Sequence, residues 1–191
     1  MKKFQPACHA EAVRRRMENR LNAAGNGNPK RSVEELAAHV MGCKPLEIYF
    51  RDCSPEQQAE LEALIARAES GEPIQYIIGH VDFRGLEIAC DPRALIPRPE
   101  TELLVDEVLK SKAQSLKPCY IADVCTGTGC IGLALAHELP NAQVTASDIS
   151  PDALSLAREN AERLGLTDRI EFVQGNLLNV DAVSSPRCGC R

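Results

Sequence analysis

The sequence predicts a helical unit followed by an α/β domain built on a parallel, doubly wound sheet. Three observations carry that prediction. Apolar stripes at helical spacing, bounded by capping residues, fill roughly the first 71 positions. From about Tyr120 the pattern alternates strand, helix, strand, helix, strand, which implies parallel pairing. Between the first of these strands and its helix stands "DVCTGTGCIG" (Asp123–Gly132), a glycine-punctuated turn at the strand end where α/β proteins seat ligands.

Taken in order, Val13, Met17 and Leu21 recur at helical spacing, and that helix stops at the loop "GNGNP". Ser32 with Glu35 has the form of a capping box, opening a helix whose stripe is Leu36, Val40 and Met41 and whose C-terminal cap is Gly42. A third helix has Ser54 as cap, Pro55 at its first position, and Leu61, Leu64, Ile65 and Ala68 as its buried face, with Gly71 closing it. Residues 74–96 are rich in β-branched and aromatic side chains, and Arg84–Gly85 marks the turn of a hairpin. The prolines of "LIPRPETELLVDEVL" hold the chain extended before a helix with acids in its first turn and Leu103, Leu104, Val108 and Leu109 on its apolar side. "CYIADV", "AQVTASD" and "RIEFVQG" read as strands. "CIGLALAHEL" and "SPDALSLARENAERLG" read as helices, the second capped by Ser150 and burying Ala153, Leu154, Ala157, Ala161 and Leu164. The expected units are residues 1–73 (helical, partner docking), 74–99 (hairpin and linker) and 100–191 (ligand binding).

With 44% hydrophobic and 26% charged residues, the 191-residue chain falls in the class that buries a core. A net charge of -5 argues against a dedicated nucleic-acid binder, and the basic run Arg14–Arg16 reads as a solvated helix face. No apolar run reaches the ~18 residues of a membrane span, so the expected address is cytoplasmic, with no membrane partner. The nine cysteines are odd in number and scattered, which suits small buried side chains in a reducing compartment. Cys188 and Cys190 form a C-x-C without a second pair, so no metal site is expected.

Three ligands compete for the glycine turn: a nucleotide phosphate, a metal and a methyl donor. Gly127, Gly129 and Gly132 spell G-x-G-x-x-G, and Asp148 lies near the offset of a ribose-binding acid, which is a weak dinucleotide signature. No G-K-[ST] follows, so a P-loop is excluded. Asp123 opposes a dinucleotide, because a carboxylate facing a pyrophosphate in a partly dry crevice is repelled. A ligand with an ammonium group and no phosphate suits it, and S-adenosylmethionine is one. In this reading Asp148 accepts from the ribose hydroxyls, while the glycines let the backbone approach closely.

"PIQYIIGHVDFRGLEIACDPRALIPRPETELLVDEVL", "IADVCTGTGCIGLALA" and "SDISPDALSLARENAERLGL" together resemble the bacterial release factor glutamine N5-methyltransferase family over roughly residues 30–178. "LIPRPETELLV" is the most specific piece, since ordinary methyltransferases lack it. The resemblance implies an N-terminal helical bundle joined to a class I S-adenosylmethionine-dependent methyltransferase domain of Rossmann-like fold, incomplete at the C-terminus. It implies that Cys125, Thr126, Gly127, Thr128 and Gly129 form the methionine-side loop beside Asp123, with Asp148 on the ribose. Asn176 and Leu177, within "GNLL", would close on the adenine, with Asn176 standing where the family usually has Asp. Cys125 replaces a glycine of many members, which is tolerable if its φ is negative. Phe83, Pro97 and Arg98 either line the approach of cofactor and substrate or serve as hairpin core and rigid turn.

The implied cofactor is S-adenosylmethionine and the implied partner a peptide chain release factor. Alternatives are a ribosomal-protein glutamine, a nucleobase amino group, a non-catalytic module that docks on release factor or ribosome, and an NAD enzyme. The family's acceptor loop, Asn-Pro-Pro-Tyr, does not occur in these residues. The tail after Leu178 follows no family pattern and has the look of a truncated or frame-shifted end, so the free chain is expected to be inactive. A sheet remnant of three strands would expose an edge and an apolar face, with aggregation the expected result.

Overall fold

The computed structural model describes residues 7–112 and 119–176, in two compact units that divide between Ile78 and Gly79. Each unit has its own apolar cluster.

The first unit is helical: α1 (Ala7–Ala23), α2 (Pro29–Met41), a 3-10 turn (Pro45–Phe50), α3 (Pro55–Glu69) and α4 (Ile74–Ile78). Met17, Leu21, Val33, Leu36 and Ile65 are fully buried at its centre. Burial of each such side chain contributes about 1.5–3 kcal/mol. The α3 capping box is present, with Ser54 Oγ accepting from Gln57 N–H and the Gln57 side chain accepting from Ser54 N–H. The α2 cap differs from expectation. The helix starts at Pro29, and the Asn28 side chain accepts from Arg31 N–H, while Ser32 is buried inside the first turn. Proline at the first helical position, with its fixed φ, outcompeted the Ser-Glu pair. Gly42 closes α2 in the left-handed conformation as expected.

Residues 74–78 form a helix rather than a strand. The Tyr76 and Ile77 N–H groups donate to the Pro73 carbonyl, and Ile74 and Ile77 are buried one turn apart. Packing of that face overrides the β propensity of its isoleucines. The basic run is largely spoken for: Arg16 pairs with Glu62, and Arg14 lies over the Tyr49 ring at 4.5 Å.

The second unit opens with an antiparallel hairpin, β1 (His80–Phe83) and β2 (Leu86–Ala89). Arg84 and Gly85 turn it with φ of 55° and 76°, the mirror-image turn that matches strand twist. Arg84 accepts that conformation while its guanidinium donates to Glu138 and Asp106, each at 2.6 Å. Then come α5 (Glu100–Lys112), β3 (Cys119–Val124), α6 (Cys130–Glu138), β4 (Ala142–Asp148), α7 (Pro151–Arg163) and β5 (Ile170–Gln174).

On α5 the buried residue is Val105, with Val108 and Leu109 packed beside it. Leu103 and Leu104 are mostly exposed, against expectation. Three consecutive apolar residues fix no helical phase, and Val105 is the one that faces the core.

The sheet is parallel with strand order β3-β4-β5, and α6 and α7 touch each other, so they cover one face. This is the single-direction winding of one half of a doubly wound sheet. Among the described residues Tyr120, Ala122 and Gln143 are exposed on the sheet. Arg169 ties the rear together by donating to the carbonyls of Leu139 and Ala142. No helix among the described residues is long and apolar enough to cross a membrane.

Candidate cofactor site

The register of β3 and β4 sets Val124 beside Ser147, so Asp123 and Asp148 both stand at carboxyl ends of neighbouring strands. Between them the chain turns through Cys125–Gly129 into α6. Thr126 N–H donates to Ser147 O at 2.9 Å, which pins the turn across the strand end.

Asp123 is 7% exposed. Its Oδ2 accepts from Thr126 Oγ1 (2.6 Å) and from Gly132 N–H (3.0 Å). Among the described residues Oδ1 has no donor and no buried side-chain polar atom lacks a partner, so Oδ1 reaches solvent. Burial raises the Asp123 carboxyl above the usual carboxylate range; the Thr126 and Gly132 bonds oppose this, and the nearby Asp148 charge adds to it. The turn is therefore a place where negative charge is already crowded.

Asp148 holds the same turn from the other side. One carboxylate oxygen accepts from Gly127 N–H (2.9 Å), and the other from Ser150 N–H (3.0 Å) at the start of α7. A carboxylate has about four acceptor positions, so two remain for hydroxyl donors.

The glycines are fixed by backbone and space together. Gly129 has φ 83° and caps α6, and a Cβ there would lie 3.0 Å from Leu133 Cδ1 and 3.2 Å from Ala157 Cβ. At Gly132 a Cβ would meet Asp123 Oδ2 at 3.0 Å. Gly127, φ 57°, looks onto open space bounded by Ala94 at 3.9 Å. Thr126 and Thr128 are buried. Burial pushes the Cys130 thiol up to about 11, which keeps it protonated at neutral pH.

Cys125 is exposed and has φ 62°, so the condition under which a side chain sits there without cost, a negative φ, is not met. Bridging from Asp123 to the Ser147 carbonyl requires a left-handed step, and Cys takes it at a cost a glycine would avoid. Left-handed backbone costs a side chain about 1–2 kcal/mol, offset by roughly 0.5–1 kcal/mol of glycine's extra unfolded-state freedom. Cys125→Gly is expected to stabilise the second unit by about 0.5–1 kcal/mol in urea denaturation; a loss of stability would show that the thiol itself contributes.

Phe83 is 1% exposed and belongs to the core beneath the hairpin, the second of the two places expected for it. It closes β1 opposite Leu86, on the face that the pleat turns inward. Pro97 is half-buried and Arg98 exposed, in the segment that leads to α5. Asn176 is exposed just past β5, where Gly175 N–H donates to Asp148 O at 3.0 Å. Leu177, Cys188 and Cys190 lie outside the described residues.

Sequence reasoning missed two residues. Ile149, directly after Asp148, is 66% exposed, an apolar side chain standing in water beside the site. Asn160 of α7 is fully buried and reaches the turn, with Nδ2 donating to Thr128 O at 3.0 Å. The lone isoleucine after a strand could have signalled the first. Nothing in the helical pattern marks the second.

Two family models match: "PrmC N-terminal domain" over residues 12–79 and "Methyltransferase domain" over residues 121–186. The release factor glutamine methyltransferase of Chlorobaculum tepidum is 42% identical over 168 residues, covering 83% of this chain and 57% of that protein. That of Moorella thermoacetica is 40% identical over 174 residues, covering 88% and 58%. Among solved structures, the chain is similar to a ribosomal protein L11 methylase from Lactobacillus delbrueckii subsp. bulgaricus, at 34% identity. That match covers 49% of this chain and 47% of that one, with a TM-score of 0.40. An RNA methyltransferase from Salinibacter ruber, in complex with S-adenosyl-L-homocysteine, is 30% identical over 45% of this chain and 54% of that one, TM-score 0.39. The chain thus spans a little over half the length of the curated relatives it matches. Over the residues compared, this chain belongs to the release factor glutamine methyltransferase family.

Proposed function

We propose that these residues form the donor-binding part of an enzyme that moves a methyl group from S-adenosylmethionine to the side-chain nitrogen of a glutamine in a peptide chain release factor. The observation that carries the donor is Asp123, buried, with one oxygen committed to the turn and the other open beside Asp148. Two carboxylates at one turn repel a pyrophosphate and attract a cation. The methionine ammonium suits the open Asp123 oxygen, and the ribose hydroxyls suit the vacant lone pairs of Asp148. The exposed Ile149 would cover one adenine face, and Asn176 would approach its edge. The acceptor is carried by the family, through the names of its relatives. A cytoplasmic setting goes with that acceptor.

When bound, the donor supplies an electrophilic methyl on a sulfonium. That methyl would pass to the amide nitrogen, which would give up one proton, with S-adenosylhomocysteine leaving; Asp123 would hold the donor's ammonium and Asp148 its ribose. The residues in hand hold and orient the donor, and the α6 packing keeps the turn rigid enough to do so. In the family the proton acceptors come from an Asn-Pro-Pro-Tyr loop that these residues do not contain. The 191 residues alone are therefore expected to bind without transferring.

Incubation with a release factor and methyl-labelled S-adenosylmethionine, alongside a binding titration, tests both parts. Saturable donor binding with no label on the release factor is the expected result. Transfer at an ordinary enzyme's rate would refute the binding-only part, and absence of binding would refute the donor.

A further inference from the structure

Asn160 lies on α7, and its carboxamide is fully buried. Oδ1 accepts from Ala89 N–H at 2.8 Å, and Nδ2 donates to Ala89 O at 3.1 Å and to Thr128 O at 3.0 Å. Ala89 is the last residue of β2. Thr128 sits in the glycine turn between Gly127, whose N–H goes to Asp148, and Gly129, which opens α6. One side chain therefore satisfies three main-chain groups on two segments that have no strand pairing with each other.

The neighbouring residue on α7 adds a second link. Glu159 accepts from Arg93 Nη2 at 2.8 Å, and Arg93 is also bonded to Asp91. Ala94 comes within 3.9 Å of the position a Cβ on Gly127 would take. Residues 89–94 thus lean on α7 at two consecutive positions, and Ala94 borders the open space in front of Gly127.

We propose that Asn160 is a positioning residue that locks the glycine turn to residues 89–94, so that filling the turn also fixes the chain leading to Pro97 and Arg98. This inference rests on the donor reading above. A residue serving only the hairpin would need to meet Ala89 alone, whereas the third bond, to Thr128, joins the hairpin to the loop the donor would occupy. An apolar replacement would strand the Ala89 N–H and two carbonyls away from water. Aspartate could still accept from Ala89 N–H, but it would face two carbonyls without a proton to offer.

The test is residue-resolved amide exchange on the 191-residue protein and on Asn160→Asp, each with and without S-adenosylhomocysteine. In the unsubstituted protein the ligand should slow exchange at Cys90, Arg93 and Ala94 by at least about 5-fold, together with the turn amides, leaving α1 to α3 unchanged. In Asn160→Asp without ligand, exchange should quicken at both Cys90 and Gly129; with saturating ligand only the turn should regain protection. Ligand protection of the turn that leaves Cys90, Arg93 and Ala94 untouched would overturn the proposal, as would retention of the linked protection in Asn160→Asp. If the variant does not fold, the ligand arm on the unsubstituted protein decides by itself. If the ligand leaves even the turn unchanged, the donor reading fails. The ligand-free comparison then judges Asn160 alone: quickening at both segments upholds the linkage, and quickening at one rejects it.

Discussion

Asp123→Asn is expected to leave the second unit at least as stable as before at neutral pH while weakening S-adenosylmethionine binding on the order of 10- to 100-fold. The two effects have one cause. An asparagine side-chain oxygen still accepts from Thr126 Oγ1 and Gly132 N–H, so the turn keeps its shape. What it removes is a carboxylate that burial and the adjacent Asp148 charge both disfavour. Because the folded-state pKa is raised, the folded protein holds this proton more firmly than the unfolded chain. Stability is then unpenalised below the ordinary carboxylate value, about 3.9, and falls as pH rises from there through the raised value. The stability difference between variant and parent should accordingly open as pH rises and vanish in acid. Thermal melts across a pH series read the first effect and calorimetric titration the second. A variant that is clearly less stable at pH 7 yet binds donor normally would mean that Asp123 is only a cap.

Gly129→Ala carries the largest expected cost in stability, roughly 1.5–4 kcal/mol, the sum of a net left-handed backbone cost and an overpacked contact. The new methyl would meet Leu133 Cδ1 at 3.0 Å and Ala157 Cβ at 3.2 Å, both on buried residues of α6 and α7. Neither can retreat without disturbing the contact between those helices. Gly127→Ala is the matched control: its φ is also positive, but the nearest atom is 3.9 Å away, so only the net backbone term of about 0.5–1 kcal/mol remains. Urea denaturation of the pair isolates the packing term. Equal losses would show that α6 and α7 yield easily.

Much of this arrangement was legible in the sequence where the signals were local. Ser150 and Pro151 start α7, Ser54 and Pro55 start α3, and Arg84–Gly85 turns the hairpin, each by chemistry within four residues. The acids at 123 and 148 could be read because strand ends and turn glycines fix their places in the chain. What stayed hidden depends on neighbours far along the sequence. Residues 74–78 read as a strand because propensity knows nothing of the apolar surface that receives Ile74 and Ile77. Leu103, Leu104 and Val105 offered three equal candidates for one buried position. Asn160 looks like any polar residue of a helix until Ala89, from a hairpin far earlier in the chain, is seen to need both of its amide groups. Cys125 gave no sign of its left-handed backbone, since its residue type does not favour one.

With an acid on each side of it, the turn from Asp123 to Gly132 is expected to select a cationic methyl donor over a phosphate-bearing dinucleotide. Calorimetric titration of the 191-residue protein with S-adenosylmethionine and with NAD, at the same pH and ionic strength, tests it most directly. Saturable binding of S-adenosylmethionine, weakened by Asp123→Asn, and no measurable binding of NAD is the expected result. Saturable binding of NAD with none of S-adenosylmethionine would contradict it.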